Sequence, residues 1–332
     1  MQFSKVHDVD GMDKIVPRQE REDANSLPLN AVAFSNDDVS TLASCLFPFT
    51  KTQRTALLQL CKGGPHGIAG KVDKYSVSWE KLQCLVDKMW INDEVINFVA
   101  RSVSLEIHTV GVWVTLSTFY WSLAEHGKPP NYSFANAKKL TNKENINITI
   151  LKTVIIPLHV VPNHWVVIVI NLEQESIHYF DSLHAPEDTI TVALGDVYVP
   201  QTNANGPLCR YGPALRNCAR WVVDEFQSKD SSYVKDVQDW KGIVHSRHEV
   251  PQQDNGYDCG VFCMHMVKTF AKSKGPCFQM GGVIDVPDIL LMRRQIALSI
   301  IKTSPLPDAD AAAPASAPSS SDSALLLTQL IA

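Results

Sequence analysis

The sequence predicts an α+β fold in which helices surround a central mixed β-sheet. Two apolar runs, 153–161 and 164–172, are rich in β-branched residues and have the length of strands. Amphipathic helical patterns precede and follow these runs, but helices and strands do not alternate regularly along the chain. A doubly wound parallel sheet is therefore not expected.

Composition excludes several classes of protein. The chain has 332 residues, of which 45% are hydrophobic, and its 30 Lys and Arg against 35 Asp and Glu give a net charge of −5. This charge disfavours a nucleic-acid binder, and no apolar run is long enough for a membrane helix. The eight cysteines form no CxxC pair, and no secretion signal is apparent. We therefore expect reduced thiols, no zinc site, and an intracellular protein of the nucleus or cytoplasm.

Changes in composition divide the chain into four segments. The predicted segments are a loose N-terminal leader at 1–34, a short helical extension at 35–75, a main domain at 76–302 and a disordered Ala/Pro/Ser-rich tail at 303–332. In the extension, a helix is expected from about Lys51 to Lys62, where Gly63 and Gly64 end it. Residues 65–80 resemble a loop.

The main domain carries several helical patterns. Asn92 and Asp93 can cap a helix with apolar residues at helical spacing. Further helices are expected at 112–124, 214–226, 259–272 and from Pro287 to 300, while 203–213 resembles an inserted loop.

A hairpin brings a histidine and an aspartate together. The strands at 164–172 and 177–183 flank a polar turn at 171–174. If Ile170 pairs with Glu175, His164 lies directly opposite Asp181. A carboxylate there can orient the imidazole and stabilise its protonated form. The alternative is a polar strand end beside an ordinary turn residue.

A cysteine stands at the start of a predicted helix. Asn255 and Gly256 indicate a tight turn, and Cys259 then opens an apolar helix. The positive end of the helix dipole and a nearby imidazolium favour a reactive thiolate. Gly260 leaves room for a substrate backbone, whereas Cys263 should face the core. A small buried hydrophobic residue is the alternative interpretation of Cys259.

Gln253, six residues before Cys259, can contribute to an oxyanion hole. Across the glycine turn its amide can approach the thiol and donate to an oxyanion beside the Cys259 N–H. Gln252 and Asn255 compete for this role, and a surface glutamine is the alternative.

These motifs together resemble the ubiquitin-like-protein-specific (SUMO/sentrin) cysteine proteases. The motifs are HW at 164–165, FDS at 180–182 and QQDNGYDCG at 252–260, and WINDEVINF at 90–98, STFYW at 117–121 and DILLMRRQIALSI at 288–300 also match. The resemblance extends from about residue 79 to 302. Asp254 departs from it, because proline is expected there.

The resemblance implies a papain-like core with the catalytic order His-Asp-Gln-Cys. It assigns Cys259 as the nucleophile, His164 as general base, Asp181 as the orienting acid and Gln253 as oxyanion donor. No metal or cofactor is implied.

The resemblance also implies substrate-binding residues. Trp90 and Trp165 would form a narrow tunnel for a Gly-Gly strand, and Asp93 would meet a basic residue of the modifier. Core packing of the tryptophans and a plain helix cap at Asp93 are the alternatives.

The expected function is that of a monomeric thiol isopeptidase. It would cleave after the C-terminal Gly-Gly of a ubiquitin-like modifier, SUMO first and NEDD8 or ubiquitin next, in deconjugation or precursor processing. An acyltransferase with the same triad and a non-catalytic modifier-binding module are the alternatives.

Overall fold

A computed structural model describes residues 3–7, 13–17, 49–107, 111–122, 132–160, 163–195, 208–273 and 289–304. The chain divides into two compact units, Lys51–Ala313 and Met1–Thr50 with Pro314–Ala332. In the second of these, β1 (Phe3–His7) and β2 (Asp13–Pro17) pair antiparallel. Most of the predicted leader and nearly all of the predicted tail lie outside the described residues, and the predicted segment boundaries remain predictions.

The unit Lys51–Ala313 combines helices with a mixed sheet. Its helices are α1 (Lys51–Cys61), α2 (Trp79–Leu82), α3 (Asp93–Glu106), α4 (Thr118–Ser122), α5 (Phe134–Lys143), α6 (Leu208–Lys229), α7 (Cys259–Lys272) and α8 (Ile289–Ile301). Its strands are β3 (Ile68–Val72), β4 (Tyr75–Ser78), β5 (Val112–Val114), β6 (Thr153–Val160), β7 (His164–Asn171), β8 (Ser176–Phe180), β9 (Ile190–Ala193) and β10 (Lys241–Val244). No helix in the described part of the chain has the length and apolar character needed to cross a membrane.

The main sheet has the strand order β5-β6-β7-β8-β10-β9 within the described residues. The pairs β5/β6 and β8/β10 are parallel, and the other neighbours are antiparallel. All eight residues of β7 are buried, because α6 packs on one face and α7 on the other. Trp221 of α6 belongs to the same hydrophobic cluster as Val166 and Ile168 of β7, and the Phe270 ring of α7 contacts Phe180 at 4.6 Å between centroids. The predicted α+β fold with a central mixed sheet is confirmed.

Three local predictions were wrong. Most of 65–80 forms the β3/β4 hairpin (Ile68–Ser78) and the start of α2 rather than a loop, since Asp73 takes the left-handed conformation, with a φ of 52°, that a tight turn needs. The run 112–124 starts as β5, because Val112–Val114 pairs with β6 before α4 begins. The expected loop at 203–213 is helical from Leu208 onward, with Pro213 inside α6, because the apolar stripe that follows it packs into the core; 203–207 lie outside the described residues.

The β7/β8 hairpin has a register two residues away from the predicted one. Ile170 pairs with Ile177, and Asn171 with Ser176, because the turn occupies 172–175 rather than 171–174. The Asn171 carboxamide oxygen accepts from two amide groups of this turn, at 3.1 and 3.0 Å, and Glu175 closes it with a φ of 52°. A shift by two keeps every side chain on its face of the sheet.

A buried arginine joins the last helix to the loop before α7. Arg293 of α8 is fully buried, and its Nε and Nη2 donate to one Asp258 oxygen at 3.0 and 2.6 Å. Its remaining N–H groups donate to the carbonyls of Cys84, Val86 and Met89 at 2.9, 3.1 and 2.8 Å. The planar guanidinium thereby fixes the segment 84–89 against the residue that precedes α7.

A chain of polar groups, three of them buried, runs from β8 to the segment that follows β10. The Ser176 hydroxyl contacts His178 at 3.0 Å, His178 contacts His245 at 3.0 Å, and His245 contacts Glu249 at 3.3 Å. Burial, together with His245, lowers the pKa of His178 to about 4. Burial also lowers the pKa of His245, although Glu249 opposes this shift. Both imidazoles are therefore neutral at pH 7.

Replacing Arg293 by Met should destabilise the protein by about 3–5 kcal/mol, because Asp258 would be left as an unpaired buried charge. Chemical denaturation measures this loss. Arg101→Met is the matched control, since the Arg101–Asp73 pair is partly exposed, with 25% and 41% of the side chains accessible, and should cost less than about 1 kcal/mol. Similar small losses for both variants would show that the Arg293 network does not stabilise the fold.

Stability should fall as the pH drops from about 6.5 to about 4. The folded-state pKa of His178 lies below its unfolded value of 6.5, so the unfolded chain binds more protons in this window. His178→Asn should remove up to about 3 kcal/mol of this dependence, measured as the free energy of unfolding at each pH. His248→Asn, which removes a largely exposed imidazole, should leave the pH dependence unchanged, and equal curves for the two variants would contradict the assignment.

Candidate active site

Three of the four predicted catalytic side chains lie at the ends of strands or helices, and the fourth lies in a loop. His164 is the first residue of β7, Asp181 follows the last residue of β8, and Cys259 is the first residue of α7. Gln253 lies in the loop before α7. All four residues are buried. The paired strands and the helix that packs on them thus bring together groups that are up to 95 positions apart in sequence.

Asp181 holds His164 by a direct hydrogen bond. Nε2 of His164 lies 2.7 Å from Oδ1 of Asp181, although the observed register makes the two residues diagonal rather than directly opposed neighbours. The same oxygen accepts from the backbone N–H of Leu183 and of His184, each at 2.9 Å. Burial alone would raise the pKa of Asp181, but the His164 contact and these N–H groups outweigh it and lower the pKa.

His164 also interacts with the thiol of Cys259. Since Asp181 occupies Nε2, Nδ1 is the ring nitrogen left for the sulfur. Burial disfavours the imidazolium, but the hydrogen bonds and charges of Asp181 and Cys259 outweigh it and raise the pKa of His164 to about 9. The imidazole is therefore positively charged at neutral pH, as is typical beside reactive cysteines.

The position of Cys259 at the start of α7 adds to the effect of this positive charge. The carbonyl of Asp258 accepts from the N–H of Val261 and of Phe262, at 2.8 and 3.1 Å. The N–H of Cys259 precedes these groups, in the first turn, where a helix offers no acceptor of its own. Together with the helix dipole, this N–H favours negative charge at the sulfur and on a substrate oxygen beside it.

The side-chain amide of Gln253 is held in place by two hydrogen bonds. Its Nε2 donates to the Asn255 carbonyl at 2.6 Å, and its Oε1 accepts from the Ser182 hydroxyl at 2.7 Å. Within the described residues, no acceptor meets the second N–H of Nε2. The rival Gln252 instead donates to the Asp181 carbonyl at 3.1 Å.

Asn255, the other rival, is occupied within its own loop. Its amide nitrogen donates to Asp254 and Asp258, and its oxygen accepts from the backbone N–H of Tyr257 and of Asp258. Gln253 is thus better suited than either rival to donate to an oxyanion.

The two tryptophans frame the approach to this site. Trp90 is 55% exposed, and its indole N–H donates to the Gly256 carbonyl at 3.0 Å. Trp165 is buried, and its indole N–H donates to the Ile91 carbonyl at 2.9 Å. Trp90 is thereby joined to the loop before Cys259, and its neighbour Ile91 is joined to β7.

Asp93 and Gly260 have defined neighbours. Asp93 is exposed at the first position of α3, where partial desolvation and Glu94 raise its pKa; Asn92, not Asp93, caps the helix. A Cβ on Gly260 would lie 2.5 Å from the Cβ of Ile91. The missing side chain therefore makes room for Ile91, and contact of Gly260 with a substrate stays a prediction.

Sequence analysis passed over several residues that support the site. Ser182 and Asp258 lie inside the quoted FDS and QQDNGYDCG motifs, and Arg293 belongs to a pair of arginines within an apolar helix pattern. The unusual charge in that pattern could have indicated a buried ion pair. His159 lies opposite Trp165 in the register, with ring centroids 4.7 Å apart. The expectation that Cys263 faces the core is confirmed, since it is fully buried.

Comparison with known proteins gives a consistent result. The model of the Ulp1 protease family, C-terminal catalytic domain, matches residues 89–205 and 207–306. The ubiquitin-like-specific protease ESD4 of Arabidopsis thaliana is 27% identical over 207 residues, which cover 61% of this chain and 36% of that protein. Ubiquitin-like-specific protease 1 of Saccharomyces cerevisiae is 24% identical over 230 residues, which cover 69% of this chain and 30% of that protein. The chain thus matches about a third of the length of these relatives.

A solved structure shares the fold. The C-terminal Ulp1 protease domain in complex with Smt3, the yeast ortholog of SUMO, matches with a TM-score of 0.57 at 21% identity, covering 77% of this chain and 96% of that domain. The family model covers well over half of the chain, including all four residues at the predicted catalytic positions. The chain therefore belongs to the Ulp1 protease family of cysteine proteases.

Proposed function

We propose that this protein is a thiol isopeptidase that cleaves after the C-terminal Gly-Gly of a small ubiquitin-like modifier, with SUMO as the first candidate. One observation carries the proposal: His164 is hydrogen-bonded to the Asp181 carboxylate, and both Asp181 and the Cys259 thiol raise its pKa. Such an arrangement makes a nucleophile and holds a proton for a leaving amine. Support for SUMO comes from the Ulp1 domain whose structure contains Smt3.

The first stage forms a thioester. The Cys259 thiolate attacks the carbonyl carbon of the terminal glycine, and the electron pair of the carbonyl moves to its oxygen. The N–H of Cys259 and the remaining N–H of Gln253 hold this oxyanion. As the C–N bond breaks, the His164 imidazolium gives its proton to the leaving nitrogen. The leaving group is a lysine ε-amine in a conjugate, or an α-amine in a precursor.

The second stage releases the modifier. A water molecule attacks the thioester carbonyl, and the now neutral His164 accepts its proton. The same two N–H groups hold the second oxyanion. Collapse of this intermediate breaks the C–S bond, frees the modifier as a carboxylic acid that loses its proton to solvent, and restores the thiolate beside an imidazolium. Asp181 keeps the ring oriented through both stages.

Substrate recognition is assigned to the face that carries Trp90. The exposed Trp90 indole and the adjacent segment that anchors Trp165 would admit a strand without side chains, such as Gly-Gly, towards Cys259. Asp93, exposed on the same segment, would pair with a basic residue of the modifier. Action in a reducing compartment, nucleus or cytoplasm, accords with the five free cysteines of the described residues, and the protein is proposed to act as a monomer.

A SUMO, NEDD8 or ubiquitin protein with a C-terminal thiol-reactive warhead tests the class of activity. An adduct on Cys259, located by mass spectrometry, is expected with the SUMO probe first, because the thiolate attacks where the scissile carbonyl would lie. Cys259→Ala should abolish the adduct and the cleavage of a SUMO–fluorophore substrate but retain SUMO binding. Cys61→Ala, which removes a thiol elsewhere in the fold, is the matched control and should react like the parent.

An adduct on another cysteine, or none with any of the three probes, would refute the assignment. Turnover of the three fluorophore substrates by the parent protein then ranks the modifiers. Binding without any turnover by the parent would favour a non-catalytic module.

The rate should fall as the pH rises through about 9. The pKa of His164 is raised to about 9, so the imidazolium that protonates the leaving amine is present below this pH and is lost above it. The measurement is kcat against pH with an amine-linked substrate.

Asp181→Asn should lower kcat by roughly 10⁴-fold, as in a serine triad, with an unchanged circular dichroism spectrum. A nearly neutral effect on kcat would remove Asp181 from the site.

A further inference from the structure

Ser182 holds the proposed oxyanion donor at two points. Its hydroxyl donates to Oε1 of Gln253 at 2.7 Å, and its carbonyl accepts from the backbone N–H of Gln253 at 2.7 Å. Both residues are buried. The fold thus fixes the main chain and the side chain of Gln253 against one residue on the other side of the site.

The contacts determine which way the Gln253 amide faces. A backbone carbonyl can only accept, so the amide atom that lies 2.6 Å from the Asn255 carbonyl must be Nε2. Oε1 therefore faces Ser182, whose hydroxyl can donate. With one N–H directed at Asn255, rotation of the planar amide is blocked and the second N–H keeps a fixed direction.

The Ser182 hydroxyl also strengthens the donor. A hydrogen bond to the oxygen of an amide draws electron density from its nitrogen, and hydrogen bonds in such a chain reinforce one another in a site of low dielectric constant. The chain here runs from the Ser182 hydroxyl through the Gln253 amide to a substrate oxygen. Its effect is greatest when that oxygen is negatively charged, as it is in the transition state.

We propose that Ser182 is a positioning residue for the oxyanion hole, which orients and polarises the Gln253 amide through the hydrogen bond from its hydroxyl. The inference rests on the proposed function, because it concerns the oxyanion of the same reaction. Asp181 and Ser182, adjacent in sequence, then have parallel tasks: one side chain orients His164 and the other orients Gln253.

Ser182→Ala tests the proposal with a SUMO–fluorophore substrate that the parent cleaves. Loss of one neutral hydrogen bond should lower kcat roughly 3- to 10-fold with little change in KM. Ser117→Ala is the matched control, because Ser117 is also buried and its hydroxyl donates to Asn97 at 2.9 Å, in a different part of the fold. This control should keep the parent kcat.

Two further measurements separate positioning from a general loss of structure. In a Gln253→Ala background, where the donor is absent, Ser182→Ala should lower kcat no further. Alkylation of Cys259 by iodoacetamide forms no oxyanion, so its rate should be unchanged by Ser182→Ala, whereas inhibition by a peptide ending in Gly-Gly-aldehyde should weaken. An additive loss in the double variant, or an equal loss of alkylation, would overturn the proposal.

Failure of the proposal is distinct from failure of the proposed function. If the parent cleaves no modifier, the isopeptidase assignment fails. If the parent cleaves and Ser182→Ala matches it, only the role of Ser182 fails. Should Ser182→Ala fold poorly, Ser182→Cys keeps the shape of the side chain with a weaker donor. The kcat of Ser182→Cys should fall below that of the parent, and mass spectrometry follows the alkylation of Cys259 in this variant. A kcat equal to that of the parent would again overturn the role of Ser182.

Discussion

The contact between His164 and Asp181 is the interaction on which the chemistry of the site depends. An imidazole buried at the start of β7 would ordinarily lose its proton, because desolvation disfavours the charged ring. The carboxylate at 2.7 Å reverses this preference. Asp181 can act in this way because two backbone N–H groups keep it charged in turn. The site is therefore a linked series of charges, each of which stabilises the next.

This series needs the nucleophile loop to stay beside the end of β8. Three hydrogen bonds join them: the Gln253 N–H donates to the Ser182 carbonyl, the Ser182 hydroxyl donates to the Gln253 side chain, and the Gln252 side chain donates to the Asp181 carbonyl. On the far side, Arg293 holds Asp258 and with it the first turn of α7. The loop is thus fixed at both ends, which places the Cys259 sulfur and the Gln253 amide before any substrate arrives. Such preorganisation is what an oxyanion hole requires.

The proposed substrate-facing side is fixed by the same loop. Arg293 binds carbonyls up to Met89, and the next residue, Trp90, bonds Gly256 three positions before the nucleophile. Gly260 lets α7 approach Ile91, whose carbonyl anchors Trp165. The Trp90 segment and the helix that carries Cys259 are thus joined by direct contacts.

The sequence by itself determined the elements that depend on local pattern: the buried strands, the helix that Cys259 opens and the four candidate side chains in their motifs. It misjudged the β7/β8 register, because the Asn171 side chain and the positive φ of Glu175 shift the turn by a residue, and it missed the β3/β4 hairpin. Only the tertiary structure decided that Gln253 rather than Gln252 or Asn255 has an amide N–H to offer, and that Arg293 and Ser182 support the site. Those roles arise from contacts between segments as much as 209 residues apart, which no local periodicity encodes.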